Sequence, residues 1–287
     1  MNIHTRLATR FANGTRVLRS DIPLSEDRMR AVAPSIFAEG KHASRSERYA
    51  HIPTAEVLRG LLYEGFEPFM VAQGHSRIPG KEAYSKHMVR LRHRSEQGPR
   101  GRGADEAHEI ILINSHDGAS SYQMLAGLVR FVCLNSMVIG DIAHDIRIPH
   151  KGNAQGEVIE GAFRVLEDFE VVDASTAEMK AVQLRPAEEL AFARSALQLR
   201  FGERTDGQEP APITAEQLVE ARRPEDLGTS LWSTLQRVQE NTLRGGLEGR
   251  TVHGRRMRTR EVSSIDRSVS LNRALWTLAD EMLKLKA

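Results

Sequence analysis

His108–Met124 reads HEIILINSHDGASSYQM: an apolar tetrad, then Asn114-Ser115-His116-Asp117-Gly118, then small and polar residues leading into a second apolar run. Asp-Gly between two such runs is a hairpin signal, because glycine accepts positive φ without strain and the aspartate side chain bonds its local backbone. The stretch therefore predicts two antiparallel strands and sets the fold class of the surrounding chain.

Working outward, strand-like runs lie around Tyr49, at 66–73, 84–94, 109–114, 121–139 and 146–149. Two short helices interrupt them. Ser25 is placed to cap EDRMRAVA before Pro34, and Pro53-Thr54 opens a helix whose Val57, Leu58, Leu61 and Leu62 share one face up to Gly65. Near Gly156 the apolar period changes from two to about 3.6. Val158, Ile159, Ala162, Phe163, Leu166 and Phe169 form one stripe, and Pro186 opens a helix that runs to Gly202. Thr214 and Gln217 form a capping-box pattern, Leu231, Leu235 and Val238 lie in register before Gly245, and a last helix carries Leu271, Leu275, Leu278 and Met282. The expected class is α+β. Residues 1–155 form a mixed or antiparallel sheet domain with short helices, and 156–287 form a helical region, packed on the sheet as one unit, with a basic loop at 244–260.

A single cysteine, Cys133, excludes an intrachain disulfide, and no apolar run is long enough to cross a bilayer. The N-terminal MNIHTRLATRFANGTR has no apolar core of a secretory signal. A cytoplasmic protein without a membrane partner is expected, and a homo-oligomer is left open. No GxxxxGK[ST] or strand-borne GxGxxG occurs, which disfavours ATP hydrolysis and dinucleotide chemistry. No cofactor is expected, and no metal: HExxH and paired CxxC are missing. Cys133 with His116 and Asn135 would make a nucleophilic set, but LVRFVCLNSMVIG reads as an interior strand holding an inert thiol.

Net charge is +2, yet charge is segregated. Arg77–Arg102 holds eight Lys or Arg against two acids, Arg244–Arg260 holds six Arg against Glu248, and Gln155–Asp173 holds six acids against Arg164. Period two puts Lys86, Arg90, Arg92 and Arg94 on one strand face, and Arg100 and Arg102 extend it into a glycine-rich hairpin loop. With Arg255, Arg256, Arg258 and Arg260 these residues could form a track for a phosphate backbone, provided that both tracts share one open surface, with Tyr84 and Tyr122 available to stack on bases. The opposing reading is a strand face that pairs with the acidic helix 157–170 of the same or a neighbouring subunit. At His116-Asp117 the readings are a hairpin corner or a metal-dependent or acid/base site completed by His144, Asp145 or His150.

SRSERYAHIPT (Ser44–Thr54), ILINSHDGASSYQM (Ile111–Met124), RIPHKG (Arg147–Gly152), LQRVQENTLRGGL (Leu235–Leu247) and LNRALWTLA (Leu271–Ala279), in this order, resemble the YfjQ, YafZ and YubP family of prophage and plasmid proteins. The resemblance runs from about Arg6 to Leu283. It implies a bacterial mobile-element setting and a protein of unknown function within a larger domain-of-unknown-function group, with no catalytic residue to carry over. The expectation is an uncharacterised accessory protein that binds DNA, including single strands in recombination or annealing, more in keeping with a binding protein than with an enzyme. The alternatives are a hydrolase or nuclease-like enzyme on His116, Asp117, His144 and His150, and a protein antagonist of a host system.

Overall fold

A computed structural model describes residues 15–45, 49, 51–76, 78–96, 106–131, 135–139, 146–148, 154–202, 211–251 and 253–286. The chain falls into two compact units: Met1–Val138 with Ile142–Phe169, and Ile139–Asp141 with Glu170–Ala287.

In the first unit, strands β1 (Arg16–Arg19), β2 (Phe66–Gln73), β3 (His87–His93), β4 (Glu106–Asn114), β5 (Tyr122–Arg130) and β6 (Asn135–Val138) lie side by side in chain order, all antiparallel. β7 (Ile146–Ile148) pairs with the start of β5, next to the stretch taken by β6. β2 carries a register shift between Pro68 and Met70. Proline has no N–H for the ladder, so a bulge there is its natural place.

Helix α1 (Glu26–Val32) follows β1, and α2 (Thr54–Tyr63) buries Val57, Leu58 and Leu61, the face that its apolar spacing marks. α3 (Ala154–Glu167) buries Val158, Ala162 and Val165 and lies on β4, β5 and β7. Close approach explains Gly161: a Cβ there would sit 3.3 Å from Ile146 side-chain atoms and from Met124 Sδ. The change of period at Gly156 thus marks the change from strand to helix, while the boundary between compact units comes later, at Phe169. Two expectations shift. The run 121–139 divides into β5 and β6, and Tyr49 lies outside any strand.

β3, β4 and β5 are buried on both faces over most of their length. Arg90 Nη1 on β3 reaches the Met137 carbonyl on β6, two strands beyond its neighbour β4, at 3.5 Å, so the sheet curls around this face.

The second unit holds α4 (Phe169–Ala181, entered from α3), α5 (Pro186–Phe201), α6 (Ala215–Val219), α7 (Leu231–Arg244) and α8 (Ile265–Lys286). The Thr214–Gln217 box forms, with Thr214 N–H bonding Gln217 Oε1 at 3.0 Å, whereas Ser25 stands at the start of α1 without a side-chain cap bond; α7 is capped by Ser230, whose Oγ accepts from Ser233 N–H at 3.1 Å. α7 is buried around its whole circumference from Leu231 to Thr242 except Ser233, polar residues included. Its polar face is held by specific partners. Arg237 bonds Glu189 and the carbonyls of Asp226 and Gly228, Gln239 bonds Asn272, Asn241 bonds the carbonyls of Leu218 and Glu220, and Glu240 receives Arg223 and Arg244.

The basic segment after α7 is a two-stranded hairpin, β8 (Glu248–Arg250) and β9 (Arg256–Arg258), which corrects its reading as a loop. Arg-Met-Arg at 256–258 alternates as a strand does, and Gly254 at φ +74° helps turn the chain. The hairpin is anchored: Arg250 N–H bonds the Pro212 carbonyl at 3.0 Å, Gln217 Nε2 bonds the Glu248 carbonyl at 2.8 Å, and a Cβ on Gly249 would meet Pro212 O at 2.1 Å.

Candidate functional site

The His116-Asp117 corner joins β4 to β5. Gly118 takes φ +78°, Asp117 Oδ1 accepts from Ala119 N–H at 3.0 Å, and Ser115 Oγ accepts from Ser120 N–H at 2.7 Å. Asp117 thus spends its carboxylate on the turn, as the hairpin reading requires. His116 is fully buried instead, its ring 4.7 Å from that of His51 and 5.3 Å from that of His87. His144, Asp145 and His150 lie outside the described residues.

Around His116 a buried polar network gathers residues from five segments. Ser35, Thr54, His87, Asn114 and Tyr122 are all fully buried. Thr54 Oγ1 is the hub: Asn114 Nδ2 donates to it at 2.9 Å, and the Tyr122 proton is divided between it, at 3.1 Å, and the Ile52 carbonyl, at 3.0 Å. That leaves the hydroxyl one proton of its own to give. His87 Nε2 stands at 2.9 Å and His116 Nε2 at 3.3 Å, so the shorter contact gives the proton to His87. His87 Nδ1 then carries the hydrogen, directed at Ser35 Oγ (3.0 Å) and the Ser85 carbonyl (3.3 Å). Burial keeps this ring neutral and pushes its pKa down to about 4. Burial also lowers His51, and it raises Tyr49 to about 12 with help from the Asp117 charge. The network ties α2 to β3, β4 and β5. Among the described residues, no group of three or more His, Cys, Asp or Glu is placed to hold a metal ion.

The cationic strand face is corrected by its surroundings. Arg90 and Arg92 are 3% and 7% exposed, and both bind Glu109 on β4. Arg90 Nη1 lies 3.0 Å from Oε2, while Arg92 Nε and Nη2 lie 3.1 and 3.0 Å from Oε1. The Arg92 guanidinium also stacks 4.1 Å from the Phe69 ring centroid. They face the inside of the curled sheet, so they are not part of an open phosphate track, and their counter-charge is a neighbouring strand residue rather than the acidic helix. The clue in the sequence is Glu109 itself, one acid at the head of EIILIN. Lys86 is half-buried, and Arg94 is exposed and paired with Glu67 at 3.1 Å. Arg100, Arg102 and Cys133 lie outside the described residues. Tyr122 is interior and cannot stack on bases, and Tyr84 packs edge-on against His42.

The second tract stands differently. Arg250, Arg255, Arg256, Arg258 and Arg260 are exposed. Register pairs Glu248 with Arg258 and Arg250 with Arg256, which puts three arginines and one glutamate on one hairpin face. Arg258 meets Glu248 at 2.7 Å with both side chains more than two-thirds exposed, a pair worth little in water.

Among the described residues no helix is long and apolar enough to cross a membrane. No solved structure matches the chain. A family model described as a domain of unknown function, DUF932, matches residues 41–276. The UPF0380 protein YafZ of Escherichia coli (strain K12) is 45% identical over 279 residues, covering 97% of this chain and 98% of the relative. The UPF0380 protein YfjQ of the same strain is 45% identical with the same coverage. Matched along nearly its whole length, the chain belongs to the DUF932 family and is similar throughout to its UPF0380 members.

Proposed function

We propose that the chain binds nucleic acid through the arginine hairpin of its C-terminal unit, in an accessory role such as handling single strands during recombination or annealing. The observation that carries this reading is the exposed face of β8–β9: Arg250, Arg256 and Arg258, flanked by Arg255 and Arg260, against Glu248 alone. Backbone anchoring at Pro212 and Gln217 holds these cations in place before any partner arrives, which lowers the ordering cost of binding. Arginine forks suit phosphate oxygens. A hydrolytic role on His116 and Asp117 has less to stand on, since one is enclosed and the other closes a turn.

Fluorescence anisotropy of a labelled single-stranded oligonucleotide between 50 and 200 mM salt tests the reading. About four neutralised phosphates give a log–log salt slope near −3, and each Arg→Gln change at Arg250, Arg255 or Arg256 reduces it by about 0.7. Glu248→Gln frees Arg258 and tightens binding. No binding at low salt, or an unchanged slope in the triple variant, refutes the proposal.

A further inference from the structure

The alternation of the hairpin does not stop where β9 ends. Thr259 N–H bonds the Leu247 carbonyl at 2.9 Å and Gly246 N–H bonds the Thr259 carbonyl at 2.8 Å, so the chain stays paired through Thr259 and Arg260 follows in step. Arg256, Arg258 and Arg260 are exposed, Met257 is half-buried and Thr259 is buried, as period two requires. Three arginines thus stand on one strand face about 6.8 Å apart, with Arg250 across the ribbon from Arg256. Among the described residues, Arg258 alone of these four is paired with a carboxylate, that of Glu248.

The opposite face of the ribbon is occupied. Gly249 lies against Pro212 and Ile213 with no room for a Cβ, and Arg250 N–H bonds the Pro212 carbonyl. The ribbon is therefore backed by its own unit and cannot enter a major groove to read base edges as a free two-stranded ribbon does. Stacking on bases has no support here either. Leu243–Val262 contains no Phe, Tyr or Trp, and its one ring, His253, sits in the turn beyond the paired positions. Elsewhere in this unit Phe192 is buried, Trp232 and Trp276 are buried edge-on against each other, and Phe201 is half-buried beside Ile213 and Leu218. Sequence-tolerant grip on a single strand ordinarily adds base stacking on aromatic rings to a cationic groove. On this face the cations stand without the rings.

We propose that the hairpin recognises nucleic acid by its phosphates alone, without reading or stacking bases, and holds duplex DNA more tightly than a single strand. This form of the substrate rests on the nucleic-acid reading above. A duplex carries one charge per about 1.7 Å of axis, against about 3.4 Å along one strand, so a fixed row of arginines meets the denser charge and releases more counterions on binding it. For annealing the consequence is a direction: the paired product is held more strongly than the strands that enter.

Anisotropy with the full chain compares a labelled single strand, an abasic strand of the same length and two duplexes of unrelated sequence across the same salt range. The abasic strand is expected within about twofold of the natural one, and the two duplexes within about twofold of each other, because phosphate contacts carry no sequence information. About four neutralised phosphates give a log–log slope near −3.6 for the duplex and near −2.8 for the single strand. Arg260→Gln reduces the duplex slope by about 0.9, and His253→Ala leaves every affinity unchanged. Circular dichroism confirms that each variant is folded. A loss of about fivefold or more on removing the bases, the worth of one stacked base, overturns the proposal. So does a single strand bound as tightly as the duplex, or a preference between the two duplexes. In each of these cases a slope still reduced by Arg250→Gln and Arg256→Gln leaves the hairpin reading standing. No binding of any of these probes at low salt ends both.

Discussion

Replacing Glu109 by Gln keeps the side-chain volume and removes one negative charge from beneath two arginines. Glu109 is 1% exposed, and its two oxygens accept from Arg90 Nη1 and from Arg92 Nε and Nη2. The native group is already one positive charge in excess, so the variant leaves two cations in the interior with no counter-charge and turns part of their acceptor into a donor. Breaking a buried pair in this way costs about 3–5 kcal/mol. For a unit of this size that corresponds to a fall in Tm of roughly 6–20 °C. Glu248→Gln breaks the exposed pair with Arg258 and changes stability by less than about 1 kcal/mol. Arg90→Met is expected between the two, because Arg92 keeps both bonds to Glu109. Urea unfolding followed by circular dichroism, with hydrogen exchange at β3 and β4 amides, measures all three. A Glu109→Gln variant within about 1 kcal/mol of the wild type would refute the reasoning: Arg90 and Arg92 would then be reaching water, and the strand face would again be available to phosphates.

Acid sensitivity and the Thr54 hub give further checks. His87 has a folded pKa of about 4 against an ordinary 6.5, so its contribution is whole above pH 6.5 and is lost as pH falls toward 4. The total is about 3 kcal/mol, and a ring whose NMR signals titrate near 6.5 would contradict it. Thr54→Val removes the acceptor of Asn114 and the donor to His87 while nearly preserving shape, and is expected to cost about 2–4 kcal/mol by urea unfolding. Thr54→Ser keeps the hydroxyl and should lose no more than about 1.5 kcal/mol; equal losses in the two variants would show that the network does not matter.

Local chemistry was legible without coordinates. Asp117-Gly118 marked the hairpin, Pro53-Thr54 and Thr214-Gln217 marked helix starts, and the change of period at Gly156 marked where strands give way to helices. Each of these signals acts within a few residues, through φ preference, a missing N–H or a side-chain cap, so each can be read from neighbours in the chain. The Arg256-Met257-Arg258 alternation carried the same kind of signal and was masked by its charge.

What the tertiary structure alone decided is which faces are covered. Periodicity assigned Arg90 and Arg92 to one face correctly, but it cannot tell whether that face meets water or the inside of a curled sheet. The answer came from Glu109 on the next strand and Met137 two strands beyond it. The same holds for Thr54, where Ser35, His87, Asn114 and Tyr122 converge from segments up to 87 positions apart in the chain. The charge on an arginine is a property of its sequence position. Its freedom to bind a phosphate depends on desolvation and on a partner carboxylate, which are set by strand neighbours distant in the chain.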